Sequence, residues 1–82
     1  MTADNASSRT QRIAEIDFEP VELCKLLKNE DLAQSGGEAK FVISEGLVKV
    51  NGLVETRKRK KIHDGDIVAF NGQQIQVRLK SR

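Results

Sequence analysis

SGGEAKFVISEGLVKVNGLVETRKRKK, residues 35–61, changes its hydrophobic period halfway along, and that change decides the fold. Ser35-Gly36-Gly37-Glu38 has the S-x-x-E form of a capping box. In such a box the Ser35 hydroxyl accepts from the N–H of Glu38, and the Glu38 carboxylate reaches back to the N–H of Ser35. The spacing then predicts a helix to about Glu45, with Ala39, Val42 and Ile43 on one side and Gly46 where a left-handed terminating residue is wanted. From Leu47 the pattern is that of strands. Leu47 to Val50 and Leu53-Val54 flank Asn51-Gly52, the strongest short-range hairpin signal. Two glycines in a first helical turn cost roughly 1 kcal/mol each relative to alanine. They imply either a close approach to that backbone or a tight link between helices.

Working outward, residues 1–11 are small and polar without periodicity and read as a disordered tail. Ile16 and Phe18 alternate with Glu15, Asp17 and Glu19, which predicts an edge strand over residues 12–18. Pro20 suits the first position of a helix over residues 20–29, because its missing N–H would be unpaired there anyway. Leu23, Leu26 and Leu27 form its inner face, with Lys25 and Lys28 outside. Glu19 and Glu22 suit the positive end of that helix and Lys28 the negative end. Leu32-Ala33 is expected to pack beneath the link to the second helix. Phe41 falls nearly opposite the Ala39/Ile43 stripe, which leaves it either free to stack on a base or ribose or covered by the N-terminal strand, the second slightly favoured.

Beyond the basic run, His63-Asp64-Gly65-Asp66 marks a turn, Ile67 to Phe70 a short strand and Asn71-Gly72 a second hairpin. Gln73 to Lys80 alternates, with Ile75, Val77 and Leu79 inward and Gln74, Gln76, Arg78 and Lys80 outward. The expected fold class is α+β: two helices packed on one face of a small, mostly antiparallel sheet, forming one domain over residues 12–82.

A chain of 82 residues has room for one small domain and little material for a deep catalytic cleft. The single Cys24 allows no intramolecular disulfide, which suits a reducing compartment. No apolar run approaches the ~18–20 residues of a membrane span, and the N-terminus lacks the apolar region of a secretory signal. A cytoplasmic monomer is therefore expected. One His, one Cys and no Tyr or Trp leave few catalytic options. A nucleophilic pair of Cys24 with His63 is possible in principle, but a buried structural Cys and a solvent-facing turn His account for them more simply. Asp64 and Asp66 read as turn residues rather than metal ligands. Ser35-Gly36-Gly37 lacks the longer glycine spacing and the Lys-Ser/Thr of a nucleotide-binding loop. No catalytic residue, metal, cofactor or small-molecule substrate is expected.

The net charge of +2 conceals an asymmetry. Residues 1–45 carry five Lys/Arg against nine Asp/Glu, whereas residues 46–82 carry nine against three. Five of those nine are consecutive: Arg57, Lys58, Arg59, Lys60 and Lys61. If residues 56–62 formed a regular strand with Ile62 inward, Lys58 and Lys60 would be inward too, and burying unpaired ammonium groups is prohibitive. The segment must be a loop, bulge or edge with most of its charge in water. A solvated face or an import signal would also be rich in cations, but blunting a sheet edge needs only one or two. Clustering on this scale points to a polyanion. Arg57 and Arg59 are expected to grip phosphates bidentately, and Lys58, Lys60 and Lys61 to act as less directional charges. Neutralising about five phosphates predicts a log–log salt slope of about −3.5 to −4.5. Gly36 and Gly37 offer helix N-terminal N–H groups as a second phosphate position, against which the Glu38 carboxylate competes. Three Phe residues are too few for a stacking platform, which favours recognition of phosphates and shape. The alternative is a protein–protein adaptor whose basic loop meets an acidic ribosomal or chaperone surface.

The stretch VELCKLLKNEDLAQSGGEAKFVISEGLVKVNGLVETRKRKKIHDGDIVAF resembles the alpha-L RNA-binding domain, first associated with a small-subunit ribosomal protein, and within it the small stand-alone bacterial members of the YbcJ/YaaA type. The resemblance covers residues 13–80, and SGGEAK, EGLVKVNG, ETRKRKK and DGDIV carry it. It implies two helices on a small sheet, with structured and possibly ribosomal RNA bound by the second helix and the adjoining basic loop. Carried over by position, it implicates Ser35, Gly36, Gly37, Lys40, Lys49 and Arg57 to Lys61. Where many members have Arg-Leu-Asp and Ser-Arg, this chain has Glu22-Leu23-Cys24 and Ser35-Gly36. Two cations are thereby absent, and the weight moves onto the pentapeptide.

Overall fold

Both Asn-Gly pairs close hairpins, because Asn51 and Gly52 (φ 53° and 86°) and Asn71 and Gly72 (φ 55° and 78°) take the left-handed conformations that a type I′ turn requires. In this computed structural model, residues 11–80 are described. Around the hairpins the strands are β1 (Gln11–Ile16), β2 (Val21–Glu22), β3 (Val48–Val50), β4 (Leu53–Val54), β5 (Lys61–Ile62), β6 (Ile67–Phe70) and β7 (Gln73–Leu79). The helices are α1 (Leu23–Asn29) and α2 (Gly36–Ser44). Five strands form a sheet in the order β1-β7-β6-β3-β4, antiparallel throughout except for the parallel β1–β7 pair, and β2 pairs with β5 in a separate ribbon. This is the expected α+β class.

Register places every buried strand residue of the large sheet on one face. Ala14 lies opposite Val77, Ile75 opposite Val68, and Val68 opposite Val50. These residues join Leu23, Leu26 and Leu27 of α1 and Ala39, Val42 and Ile43 of α2 in a single core. No polar or charged side chain is buried among the described residues. Burying each leucine or isoleucine fully contributes roughly 1.5–3 kcal/mol, which is how so small a domain offsets its chain entropy.

Several expectations change. Residues 1–10 of the expected tail lie outside the described residues, and Gln11 already opens β1. The edge strand ends at Ile16, with Ala14 and Ile16 inward; Phe18 lies beyond it and is 72% exposed. Helix α1 starts at Leu23 rather than Pro20, since Val21 and Glu22 are extended and pair with Ile62 and Lys61. Pro20 follows a cis peptide, and Glu19 accepts the N–H of Asp64 (2.7 Å) instead of serving a helix end. The capping box is offset by one residue. Ser35 Oγ accepts from the N–H of Glu38 (3.1 Å), but the Glu38 carboxylate takes the N–H of Gln34 (2.7 Å). Phe41 is not covered: it is 60% exposed.

Both helices stop in the same way. After α2, Gly46 (φ 78°) donates to Ile43 O and Leu47 to Val42 O. After α1, Asp31 (φ 62°) donates to Lys28 O and Leu32 to Leu27 O. Each pair is a Schellman closure, with Asp31 in the role usually given to glycine. The His63–Asp66 turn is a polar clasp. Asp66 accepts from His63 N–H and from the Asn51 amide, and Asp64 accepts from Leu79 N–H. Both carboxylates thus hold the hairpin and β7 in place. Among the described residues no cluster of His, Cys, Asp and Glu could hold a metal, and no helix is long and apolar enough to cross a membrane.

Candidate nucleic-acid interface

The N-terminus of α1 has no side-chain cap on Glu22. Its first donors are taken by the basic segment instead: Leu23 N–H donates to Lys60 O (2.9 Å) and Cys24 N–H to Lys58 O (3.1 Å). The orphan groups that every helix start leaves are here satisfied by the backbone of a loop whose side chains are cationic. Arg57 to Lys60 forms a β-turn closed by Lys60 N–H to Arg57 O (3.2 Å), with Lys58 and Arg59 at its corners. Lys61 then enters β5, and Ile62, fully buried, plugs into the core. The segment is a loop, as strand geometry demanded, with Arg57, Lys58, Arg59 and Lys61 exposed and Lys60 half-buried.

At the entry to the loop sits Glu55, whose side chain is only 13% exposed, whereas that of Arg57 is 70% exposed. The Arg57 Nε donates to Glu55 Oε2 (2.9 Å), its Nη2 to Oε1 (3.1 Å), and its backbone N–H also to Oε2 (2.9 Å). Hydrogen bonding from the Arg57 side chain, then from its backbone, lowers the Glu55 carboxyl from 4.5 to about 2. The same side-chain bond raises the Arg57 guanidinium. Arg57 therefore already grips one carboxylate with the fork it would offer to a phosphate.

Arg59 is placed differently. It lines a groove of about 400 Å3 together with Glu22, Cys24, Lys25, Lys28, Gly36 and Lys40. It also lines a depression of about 380 Å3 with Arg57, Lys60 and Lys61. Lys25 and Lys28 stand one turn apart on α1, and Lys40 stands one turn beyond Gly36 on α2. Four cations thus converge on the seam between the helices, at the spot where Gly36 leaves the start of α2 bare. A smaller hollow, about 150 Å3, is lined by Glu15, Asp17 and Glu30 with Phe18 and has the opposite charge.

Of the residues singled out from the sequence, Gly36, Lys40 and Arg59 meet in the groove, and Arg57, Lys60 and Lys61 adjoin it. Lys58 is exposed at the turn. Ser35 is committed to capping, and Gly37 lies beside its hydroxyl. Lys49 is not gathered in: it lies between buried Val48 and Val50, so it points to the sheet face away from the core. Lys25 and Lys28 were missed. Their i, i+3 spacing was visible, but a helical wheel reports only which side is outside, not what lies next to it.

Fold and site together define a class. Residues 14–78 match the S4 domain family, and the chain belongs to it. Within that family its likeness is to YbcJ. It is 58% identical over 57 residues to "Putative RNA-binding protein YbcJ" of Escherichia coli (strain K12), covering 70% of this chain and 81% of that one. It is 42% identical over 57 residues to "Probable ribosome maturation protein RlbA" of Bacillus subtilis (strain 168), covering 70% and 80%. The solution structure of Escherichia coli YbcJ, described as revealing an alpha-L motif involved in RNA binding, superposes with a TM-score of 0.64 at 51% identity, covering 80% of this chain and 85% of that one. The alpha-L resemblance carried by SGGEAK, EGLVKVNG, ETRKRKK and DGDIV therefore holds.

Proposed function

We propose that this protein is a non-catalytic RNA-binding protein that grips structured RNA by its backbone phosphates, through the basic loop and the groove between its helices. The observation that carries the reading is the convergence of Lys25, Lys28, Lys40 and Arg59 around Gly36, beside a loop pinned by its own carbonyls. A phosphate chain suits a long open seam of cations better than a small molecule does, since small-molecule sites are concave and mostly apolar. Arg59, shared by both depressions, is the central phosphate contact, and Arg57 is secondary because Glu55 occupies its fork. Lys58, Lys60 and Lys61 add less directional charge. The name of the Bacillus relative favours ribosomal RNA as the ligand, and the bacterial cytoplasm as the place where it is met.

The test is retention of fragmented bacterial ribosomal RNA from 50 to 300 mM salt by the parent chain and by Arg59→Glu. The parent should lose affinity steeply with salt, and Arg59→Glu should bind weakly at every concentration. A flat salt response in both would sink the reading. Capture of an acidic protein partner that survives exhaustive nuclease treatment would favour an adaptor instead.

A further inference from the structure

Glu55 sits in the wrong place for a polyanion binder. A carboxylate at the mouth of a loop of five cations repels phosphate and cancels one of those cations. Charge alone would favour its replacement. Yet it accepts three hydrogen bonds, all from Arg57. The Arg57 backbone is the hinge of the loop: its N–H goes to Glu55, and its carbonyl accepts Lys60 N–H to close the turn. Glu55 itself is tied down, because its N–H continues the hairpin by donating to Val48 O (3.0 Å). A chain of contacts thus runs from β3 through Glu55 and Arg57 to the turn that carries Lys58 and Arg59.

Resting on the RNA-binding reading above, we infer that Glu55 is a positioning residue for shape selectivity. By holding Arg57 it fixes one conformation of the basic loop, so that the loop fits folded RNA and not any polyanion. Adjacent like charges drive a free loop to spread and sample many arrangements, each able to meet a flexible polyanion but few matched to a rigid one. Glu55 gives up general attraction and gains a fixed spacing of phosphate contacts. Hydrogen bonds from Arg57 hold its carboxyl below the usual carboxylate range, so it is ionised at any physiological pH.

The experiment compares affinity for fragmented bacterial ribosomal RNA with affinity for heparin, a polyanion without a folded shape, on the same preparation at one salt concentration. Glu55→Gln raises the net charge by one. Its ribosomal RNA to heparin affinity ratio should fall roughly three- to fivefold, the scale of an exposed but well-formed ion pair. Partial loss of fold lowers both affinities together and leaves the ratio alone. A ratio unchanged from the parent, whether both affinities rise or both fall, overturns the inference. A double-mutant cycle supplies the second readout: in an Arg57→Ala background, Glu55→Gln should change the ratio no further. An additive effect there also overturns it. If the parent chain itself retains ribosomal RNA no better than an unrelated protein, it is the RNA-binding reading that has failed.

Discussion

Removing Lys25 and Lys28 together separates a groove from a bare loop. Both side chains are exposed on α1; alanine is slightly the better helix former, while losing Lys28 from the last turn removes a favourable charge at the negative end, so Lys25→Ala/Lys28→Ala should fold within about 1 kcal/mol of the parent. On the proposed binding face, Arg57 to Lys61 and Lys25, Lys28 and Lys40 provide eight cations, while Glu22 and Glu55 offset two. A surplus of about six phosphate contacts gives a log–log salt slope of roughly −4.2 to −5.4. From 50 to 200 mM salt the parent should then lose about 300- to 2,000-fold in affinity. With two cations gone the slope should fall to roughly −2.8 to −3.6, a loss of about 50- to 150-fold over the same range. Fluorescence anisotropy with labelled, fragmented ribosomal RNA reads both slopes. Lys49→Ala is the control, since that side chain lies on the far face of the sheet and should leave the slope nearly unchanged. A Lys25→Ala/Lys28→Ala slope equal to the parent's, or a Lys49→Ala slope reduced as much, refutes the groove.

Other outcomes follow from single positions. In Gly36→Ala the new methyl group meets no atom within 4 Å, so chemical denaturation should show a gain of up to about 1 kcal/mol, while RNA affinity falls because the groove wall thickens. Gly46→Ala meets only Val54 Cγ1 at 3.7 Å, an ordinary contact, but its φ of 78° should cost about 1–2 kcal/mol in stability. Ser35→Ala removes the hydroxyl that accepts Glu38 N–H and should cost about 1 kcal/mol, with RNA affinity per folded molecule retained. The Glu55 carboxyl has its folded pKa depressed, so its contribution to stability is complete above about 4.5 and is lost as pH falls through about 2. Carbon-detected NMR titration should place it there, and Arg57→Ala should return it toward 4.5.

What was legible in the sequence was local. Asn51-Gly52, Asn71-Gly72 and Gly46 announce their backbone angles by residue type, and the alternation of Gln73 to Lys80 announces its faces. Asp31 ends α1 with a side chain that tolerates the left-handed region but does not advertise it. The β2–β5 ribbon joins residues about forty apart, and nothing in Val21-Glu22 foretells Lys61-Ile62 as a partner. That pairing displaced the start of α1 from Pro20 to Leu23. Of the site, the pentapeptide was legible because burying its ammonium groups is prohibitive. The Glu55–Arg57 pair was readable in principle, since residues i and i+2 of an extended chain share a side. The groove was not readable, because it is made where α1, α2 and the loop meet.

The loop and the first helix depend on each other. Five adjacent cations repel, and a free loop carrying them would be spread by that repulsion and by its own entropy. Against this stand Ile62 in the core, the Lys58 and Lys60 carbonyls on α1, and Glu55 on Arg57. The helix gains equally, because Glu22 gives it no side-chain cap and the donors at its start would otherwise go to water. Capping α1 and holding the cations in place are therefore one set of hydrogen bonds. Any substitution that frees the loop should fray α1, and with it move Lys25 and Lys28 away from Arg59. On the proposed reading, the cations of this face would then meet RNA as a unit with little ordering left to do, because one set of backbone hydrogen bonds holds them.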